Sequence, residues 1–238
     1  MTDLLSYELS DSIATITLDD EKVNVLSPRM LSDIAGALDR AEADNAIVVL
    51  TGRPGVFSAG FDLKTLRAGG DDALAMMRAG FELAARVLSF PKPVVIACSG
   101  HAIAMGAFLL LSGDYRFGAA GPYKITANEV AIGVTLPRPA VEICRQRLAP
   151  AHFNRATVIA EVYDPDTAVP AGFLDRVVSA AELAGTARDG AARLRTLDMD
   201  AHIATKLRAR NKALAAVRMA IDLDYGDAAR QRLSERAS

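Results

Sequence analysis

Apolar and polar residues alternate through Ile13-Ala14-Thr15-Ile16-Thr17-Leu18, a β-branched period of two that predicts a strand with a buried face. Leu5 to Leu9 is expected to pair with it as a hairpin around Ser10-Asp11-Ser12. The period then lengthens. Ser27-Pro28 is a helix start, a capping hydroxyl followed by proline at the first helical position. Met30, Leu31, Ile34, Leu38 and Ala41 follow at helical spacing. Ile47-Val48-Val49-Leu50 is a short apolar run that predicts a buried strand ending at Thr51-Gly52. A long helix starts at Asp71 or Asp72 and runs through Leu88, where the Pro91-Lys92-Pro93 turn breaks it. Val94-Val95-Ile96-Ala97 is the next buried strand, ended by Gly100.

Strands that read as continuous apolar runs and alternate with helices imply a largely parallel α/β sheet. After Ala140 the pattern changes, and from Ala151 it is mostly helical apart from a short strand expected within Phe173 to Val178. Ala201 to Tyr225 reads as one or two helices. This divides the chain into a core over residues 1–180 and a helical C-terminal lobe over 181–238 that belongs to the same fold unit and supplies an oligomer contact.

Length and composition narrow the function. A chain of 238 residues with 51% apolar and 24% charged residues fills one domain with a large core. A net charge of −2 gives no basic field for nucleic acid. No apolar run approaches the ~20 residues a membrane helix needs, and Met1-Thr2-Asp3 does not open a secretory signal, so a cytoplasmic protein is expected. Cys98 and Cys144 sit in apolar runs and read as buried free thiols. His101, His152 and His202 lack ligand spacing, so no metal is expected.

Two stretches carry the chemistry. Val56-Phe57-Ser58-Ala59-Gly60-Phe61-Asp62-Leu63 and Gly100-His101-Ala102-Ile103-Ala104-Met105-Gly106 each follow a β-branched run and precede a helical one. Such turns aim unpaired N–H groups outward at a strand's carboxyl end. One donor from each, Phe61 and Met105, would converge on a single oxygen as an oxyanion hole, which points to carbonyl chemistry. Taken singly, the glycines do no more than mark turns.

Taken in order, the segments resemble the crotonase family, the enoyl-CoA hydratase and isomerase superfamily. Ser58-Ala59-Gly60-Phe61-Asp62-Leu63 and the Gly100 to Gly106 segment, followed by Asp114-Tyr115-Arg116, carry the resemblance. Asn24-Val25-Leu26, Lys92-Pro93-Val94-Val95 and Ala171-Gly172-Phe173-Leu174-Asp175 extend it over roughly residues 5 to 180. It implies a ββα superhelix with a helical C-terminal lobe that trimerises, as a homotrimer or hexamer. It also implies an acyl-CoA thioester substrate, whose enolate oxygen the Phe61 and Met105 amides would hold. Coenzyme A enters as part of the substrate, and no permanently bound cofactor is expected.

Within the family, hydratases carry two glutamates. The position of the first is Phe108 here, so that carboxylate is absent; the second matches Glu129. Asn128-Glu129 followed by Val130-Ala131-Ile132-Gly133, together with Arg53-Pro54-Gly55-Val56-Phe57-Ser58-Ala59-Gly60, is similar to the Δ3,Δ2-enoyl-CoA isomerase branch, where one glutamate does all the proton work. Phe108 would exclude water and raise the Glu129 pKa by desolvation. A lone Glu between Asn and Val otherwise reads as a loop acid. Asp62 reads as a helix cap and Glu142 as a surface acid on an amphipathic helix.

By the same resemblance, Lys64 would reach the coenzyme A phosphates, Ser58 and Ala59 backbone groups would meet the adenine, and Lys22 would flank that mouth. Leu136 and Phe108 would also contact the substrate, and the Met105 side chain would narrow the acyl pocket. His101 is expected to be packed. The alternatives are hydration, thioester hydrolysis or decarboxylation, or a homologue that binds acyl-CoA without turnover, to which Met105 and Phe108 would point.

Overall fold

Three times along the chain a strand of the large sheet is followed by a shorter one in a second sheet, and this repeat builds the molecule. A computed structural model describes residues 3–227. The chain opens with β1 (Leu5–Ser10) and β2 (Ile13–Leu18), then α1 (Pro28–Ala43). Two long crossovers follow: β3 (Ile47–Gly52), β4 (Gly55–Ser58), α2 (Leu63–Ala68) and α3 (Gly70–Ser89); then β5 (Val94–Cys98), β6 (Gly100–Ile103) and α4 (Met105–Ser112). Next come β7 (Tyr115–Ala119), β8 (Ile125–Thr126), a single 3-10 turn (Val130–Ile132) and α5 (Arg138–Arg147). The chain continues with α6 (Pro150–Thr157), α7 (Pro165–Ala171), β9 (Arg176–Val178), α8 (Leu183–Leu194) and α9 (Met199–Tyr225).

The large sheet runs β1-β2-β3-β5-β7-β9 and the small one β4-β6-β8. Between the strands of the described residues only the β1–β2 hairpin is antiparallel and the other pairs are parallel; a lone antiparallel bridge joins Ile125 to Tyr163. The small sheet is what the hydrophobic pattern did not predict. Gly100, expected to end a strand before a helix, instead begins β6. Strands of two to four residues are too short to show a period, and they fall where the pattern suggests turns.

Most other expectations hold. Ser27 Oγ accepts from the Met30 N–H and Pro28 opens α1. The long helix starts at Gly70, just before Asp71, and 199–225 is one helix rather than two. The expected 173–178 strand is only Arg176–Val178. Val94 to Cys98 is buried throughout, as a strand covered on both faces must be. Every residue of α4 is buried too, which places this helix at the centre of the core.

The C-terminal helices complete two hydrophobic cores. Leu183, Ala187 and Ala191 of α8 cover one face of the large sheet with Val49, Val95 and Phe117. Leu214, Val217, Ile221 and Tyr225 of α9 join the main core. Residues 228–238 of the expected C-terminal lobe lie outside the described residues. A charged cluster fixes α9. Asp114 accepts from the Val94 N–H (2.7 Å) and from Lys206 Nζ (2.7 Å), and pairs with Arg210 (2.9 Å). Lys206 also donates to Phe90 O (2.9 Å), so a buried cation has partners on several sides. Among the described residues no helix is long and apolar enough to cross a membrane.

Candidate active site

The two glycine-bearing turns, far apart in sequence, meet in space. Gly60 has φ +88°, and a Cβ there would lie 2.9 Å from Ile103 O and 3.3 Å from Met105 N. A Cβ on Gly106 would lie 2.4 Å from Ser58 O. Both positions therefore need glycine so that one turn can press on the other. The Phe61 and Met105 amides flank this contact, and neither has a hydrogen-bond partner among the described residues.

Local chemistry holds each turn. Asn24, wholly buried at φ +53°, donates from Nδ2 to Leu18 O (3.0 Å) and Phe57 O (3.2 Å). Ser58 Oγ donates to Asn24 O (2.7 Å) and accepts from the Gly60 N–H (3.1 Å). Leu26 N donates to Gly60 O (2.8 Å), which orients the peptide whose N–H belongs to Phe61. Asp62 then caps α2, accepting from the Lys64 and Thr65 amides. In the second turn Ala104 is the N-cap of α4 at φ +50°, ψ −123°, a region costly for any residue with a Cβ. Its N–H donates to Thr126 O (2.9 Å), and its own carbonyl accepts from Phe108 N (3.1 Å), so the strain is held from both sides. Met105 is thereby the first residue of α4, where N–H groups are unpaired and the helix dipole favours negative charge.

Glu129 reaches the same region through β8. Ile103 pairs with Thr126, three residues before Glu129, so β8 carries the acid out beside the second turn. Glu129 opens the 3-10 turn, and its carbonyl accepts from the Ile132 (3.1 Å) and Val134 (2.9 Å) amides. The residue is 8% exposed, and its Oε2 is buried with no hydrogen-bond partner. Burial pushes its carboxyl up from 4.5 to about 7, and no neighbouring carboxylate contributes to the shift. Burial raises the pKa of Cys144 in α5 and of Tyr225 in α9; the Glu129 charge adds to both, after that of Asp224 in the case of Tyr225.

The other predicted residues divide. Phe108 is buried and stacks on Phe81 (6.1 Å, 27°), while Phe81 meets the Phe61 ring edge-on (6.0 Å). The Met105 side chain is 1% exposed and packs into the core. Leu136 packs half-buried against that core. Lys22 and Lys64 are exposed. Ser58 is wholly buried with its hydroxyl engaged, and the Ala59 N–H donates to Val23 O (3.0 Å). What they visibly do is hold the first turn. Glu142 pairs with Arg145 on α5, and His101 accepts from Lys124 N (2.9 Å) through Nδ1 while packing edge-on against Tyr123. Cys98 and Cys144 are buried free thiols. No cluster of metal-ligand type occurs among the described residues.

Phe81 and Tyr225, which sequence reasoning did not single out, stack on each other beside Phe61 and Phe108. Phe81 shows only as one apolar position in a helical period, and Tyr225 arrives by the length and direction of α9. Open clefts lie elsewhere; one of about 450 Å³ runs along α9 from Leu197 to Arg210.

The enoyl-CoA hydratase/isomerase family model matches residues 8–225. The chain belongs to this family. It is similar to an apo enoyl-CoA isomerase structure from Mycobacterium tuberculosis, with 49% identity, TM-score 0.90, and 93% of this chain and 97% of that one covered. It is also similar to the enoyl-CoA hydratase EchA3 of Mycobacterium ulcerans, with 48% identity, TM-score 0.90, and 92% and 97% covered. Among curated proteins, a probable enoyl-CoA hydratase of Bacillus subtilis is 31% identical over 134 residues, which span 55% of this chain and 52% of that one. The chain thus spans about half the length of that curated relative. In family terms the two sheets and the long C-terminal helix are the crotonase fold.

Proposed function

We propose that the protein isomerises 3-enoyl-CoA thioesters to the conjugated 2-enoyl-CoA, with Glu129 as the only proton carrier. The observation that carries this reading is a buried carboxyl oxygen without a partner, on an acid whose pKa lies near 7. A proton carrier works best when its pKa is close to the operating pH, because it must both take and return the proton. In the ionised state Glu129 removes the C2 proton. The electrons move into a dienolate whose oxygen accepts from the Phe61 and Met105 amides. The same carboxyl then delivers the proton to C4, leaving the C2–C3 double bond.

Phe108 supports isomerisation over hydration. Water addition needs a second group to position the nucleophile, and this position offers an aromatic ring in a ring stack. Lys22 and Lys64, both exposed, suit the coenzyme A phosphates, with Leu136 beside the acyl chain. The homotrimer or hexamer belongs to the same reading and is checked by light scattering on the eluted protein.

The test follows absorbance of the conjugated thioester formed from a short and a long 3-enoyl-CoA, with 2-enoyl-CoA hydration measured alongside. Isomerisation is expected to dominate. Hydration at a comparable rate would favour the hydratase reading that the name of the Mycobacterium ulcerans relative carries. Acyl-CoA binding without turnover of any enoyl isomer would favour a retired homologue.

A further inference from the structure

We propose that Ser58 is a positioning residue that holds the two oxyanion donors at the spacing needed to grip one oxygen. This rests on the acyl-CoA reading above and adds to it a side chain that acts only through its neighbours. Ser58 is the last residue of β4 and is wholly buried. Its strand pairs with β6 in a broken register. Val56 lies opposite His101, but Ser58 lies opposite Ala102, so Phe57 is passed over. A bulge of this kind re-aims the side chain that follows it. Here it sets Ser58 beside the strand that leads to Met105.

A hydroxyl has one proton to give and lone pairs to spare. Ser58 gives its proton to Asn24 O (2.7 Å), which leaves the oxygen free to accept from the Gly60 N–H (3.1 Å). Leu26 N holds the same glycine from its carbonyl (2.8 Å). Gly60 is therefore clamped at both ends, with its φ of +88° fixed just before the Phe61 amide. The clamped glycine is also what abuts the second donor, since a Cβ on it would lie 3.3 Å from Met105 N. From the other side, the three nearest atoms that a Cβ on Gly106 would meet all belong to Ser58. One residue thus orders the Phe61 amide through its side chain and bears on the start of α4 through its backbone. Loss of the hydroxyl leaves the buried Gly60 N–H without its partner and frees the first turn, while the backbone contact with Gly106 stays. A slightly displaced donor still lets the thioester bind. It serves the transition state badly, because an oxyanion hole acts on the charge that develops there.

The experiment compares Ser58→Ala with the natural chain in three readings. These are kcat and KM for 3-enoyl-CoA isomerisation, the Kd of a saturated acyl-CoA by calorimetry, and the infrared carbonyl stretch of that thioester, isotope-labelled at the carbonyl, when bound. The last two need no turnover. In the natural chain the bound stretch is expected below that of the free thioester, because two donors polarise the carbonyl. In Ser58→Ala, kcat is expected to fall by about 100-fold, the loss that misplacing a catalytic group by an ångström produces. KM and Kd stay unchanged, and the stretch moves back toward the free value. If Ser58→Ala fails to fold by near-UV circular dichroism, Ser58→Cys replaces it, with the same pattern in smaller measure, since a thiol is a weaker donor and acceptor. A folded variant that keeps the natural rate and stretch, or one that loses binding in step with rate, overturns the positioning role and leaves the acyl-CoA reading intact. A natural chain that binds no acyl-CoA, or binds it without lowering the carbonyl stretch, overturns that reading, and the positioning role with it.

Discussion

Asp114 and Glu129 are both largely buried carboxylates, and their surroundings are opposite. Asp114 accepts from a backbone amide and a lysine and pairs with an arginine, so its charge is matched and α9 is anchored to the large sheet. Glu129 has an oxygen with no partner and no cation to offset its burial. A satisfied carboxylate contributes to the fold. An unsatisfied one costs stability, and the cost is the condition for a proton carrier tuned near neutrality. The same contrast separates Lys206, enclosed with three acceptors, from the exposed Lys22 and Lys64.

Exchanging the roles of these two acids gives the sharpest tests. Glu129→Gln keeps the shape and removes the proton carrier; isomerisation should fall by about 10⁴-fold, near 5 kcal/mol of transition-state stabilisation. Retention of most of the activity in the absorbance assay would remove Glu129 from the mechanism. Asp114→Asn should instead leave two cations unmatched beside α9 and cost roughly 3–5 kcal/mol in denaturant unfolding. The surviving folded protein should still bind acyl-CoA.

The pH dependence separates the two acids as well. Glu129 has a folded pKa of about 7 against 4.5 unfolded, so between those values the folded state binds more protons. Stability therefore falls as pH rises through this window, by roughly 3 kcal/mol in total, while the active, ionised form grows. The turnover rate is expected to rise with pH through an apparent pKa near 7. Glu129→Gln should be more stable than the natural chain at pH above 7, and indistinguishable in stability below 4.5, in chemical denaturation run across pH. Equal stability at both ends would mean that the carboxyl is solvated. The smallest expected effect is at Ala104. Ala104→Gly relieves the φ +50° strain and should raise unfolding stability by about 1 kcal/mol, read from denaturant midpoints.

Much of this was legible in the residues. The Ser27 cap, the β1–β2 hairpin, the buried runs at 47–50 and 94–97, and the helical start at Met105 follow from local sterics and hydrogen bonding, which act over a few neighbours. Glu129 and Phe108 were identified by the order of family-like segments. Strand β8 was not, because two residues carry no period. Phe81 and Tyr225 were not, because an apolar residue on a helix face gives no sign of which distant ring it will meet.

By itself the sequence determined the longer helices, most strands of the large parallel sheet and the turns that expose two amides, since each depends on torsional preference and on which side of a short segment is apolar. The tertiary structure alone decided that the two turns touch through Gly60 and Gly106, and that Glu129 is enclosed without a partner. It alone brought the end of α9 back to Phe81. Those are consequences of packing between segments tens to hundreds of residues apart. Desolvation, which raises the Glu129 pKa, is a property of that packing and of no residue alone.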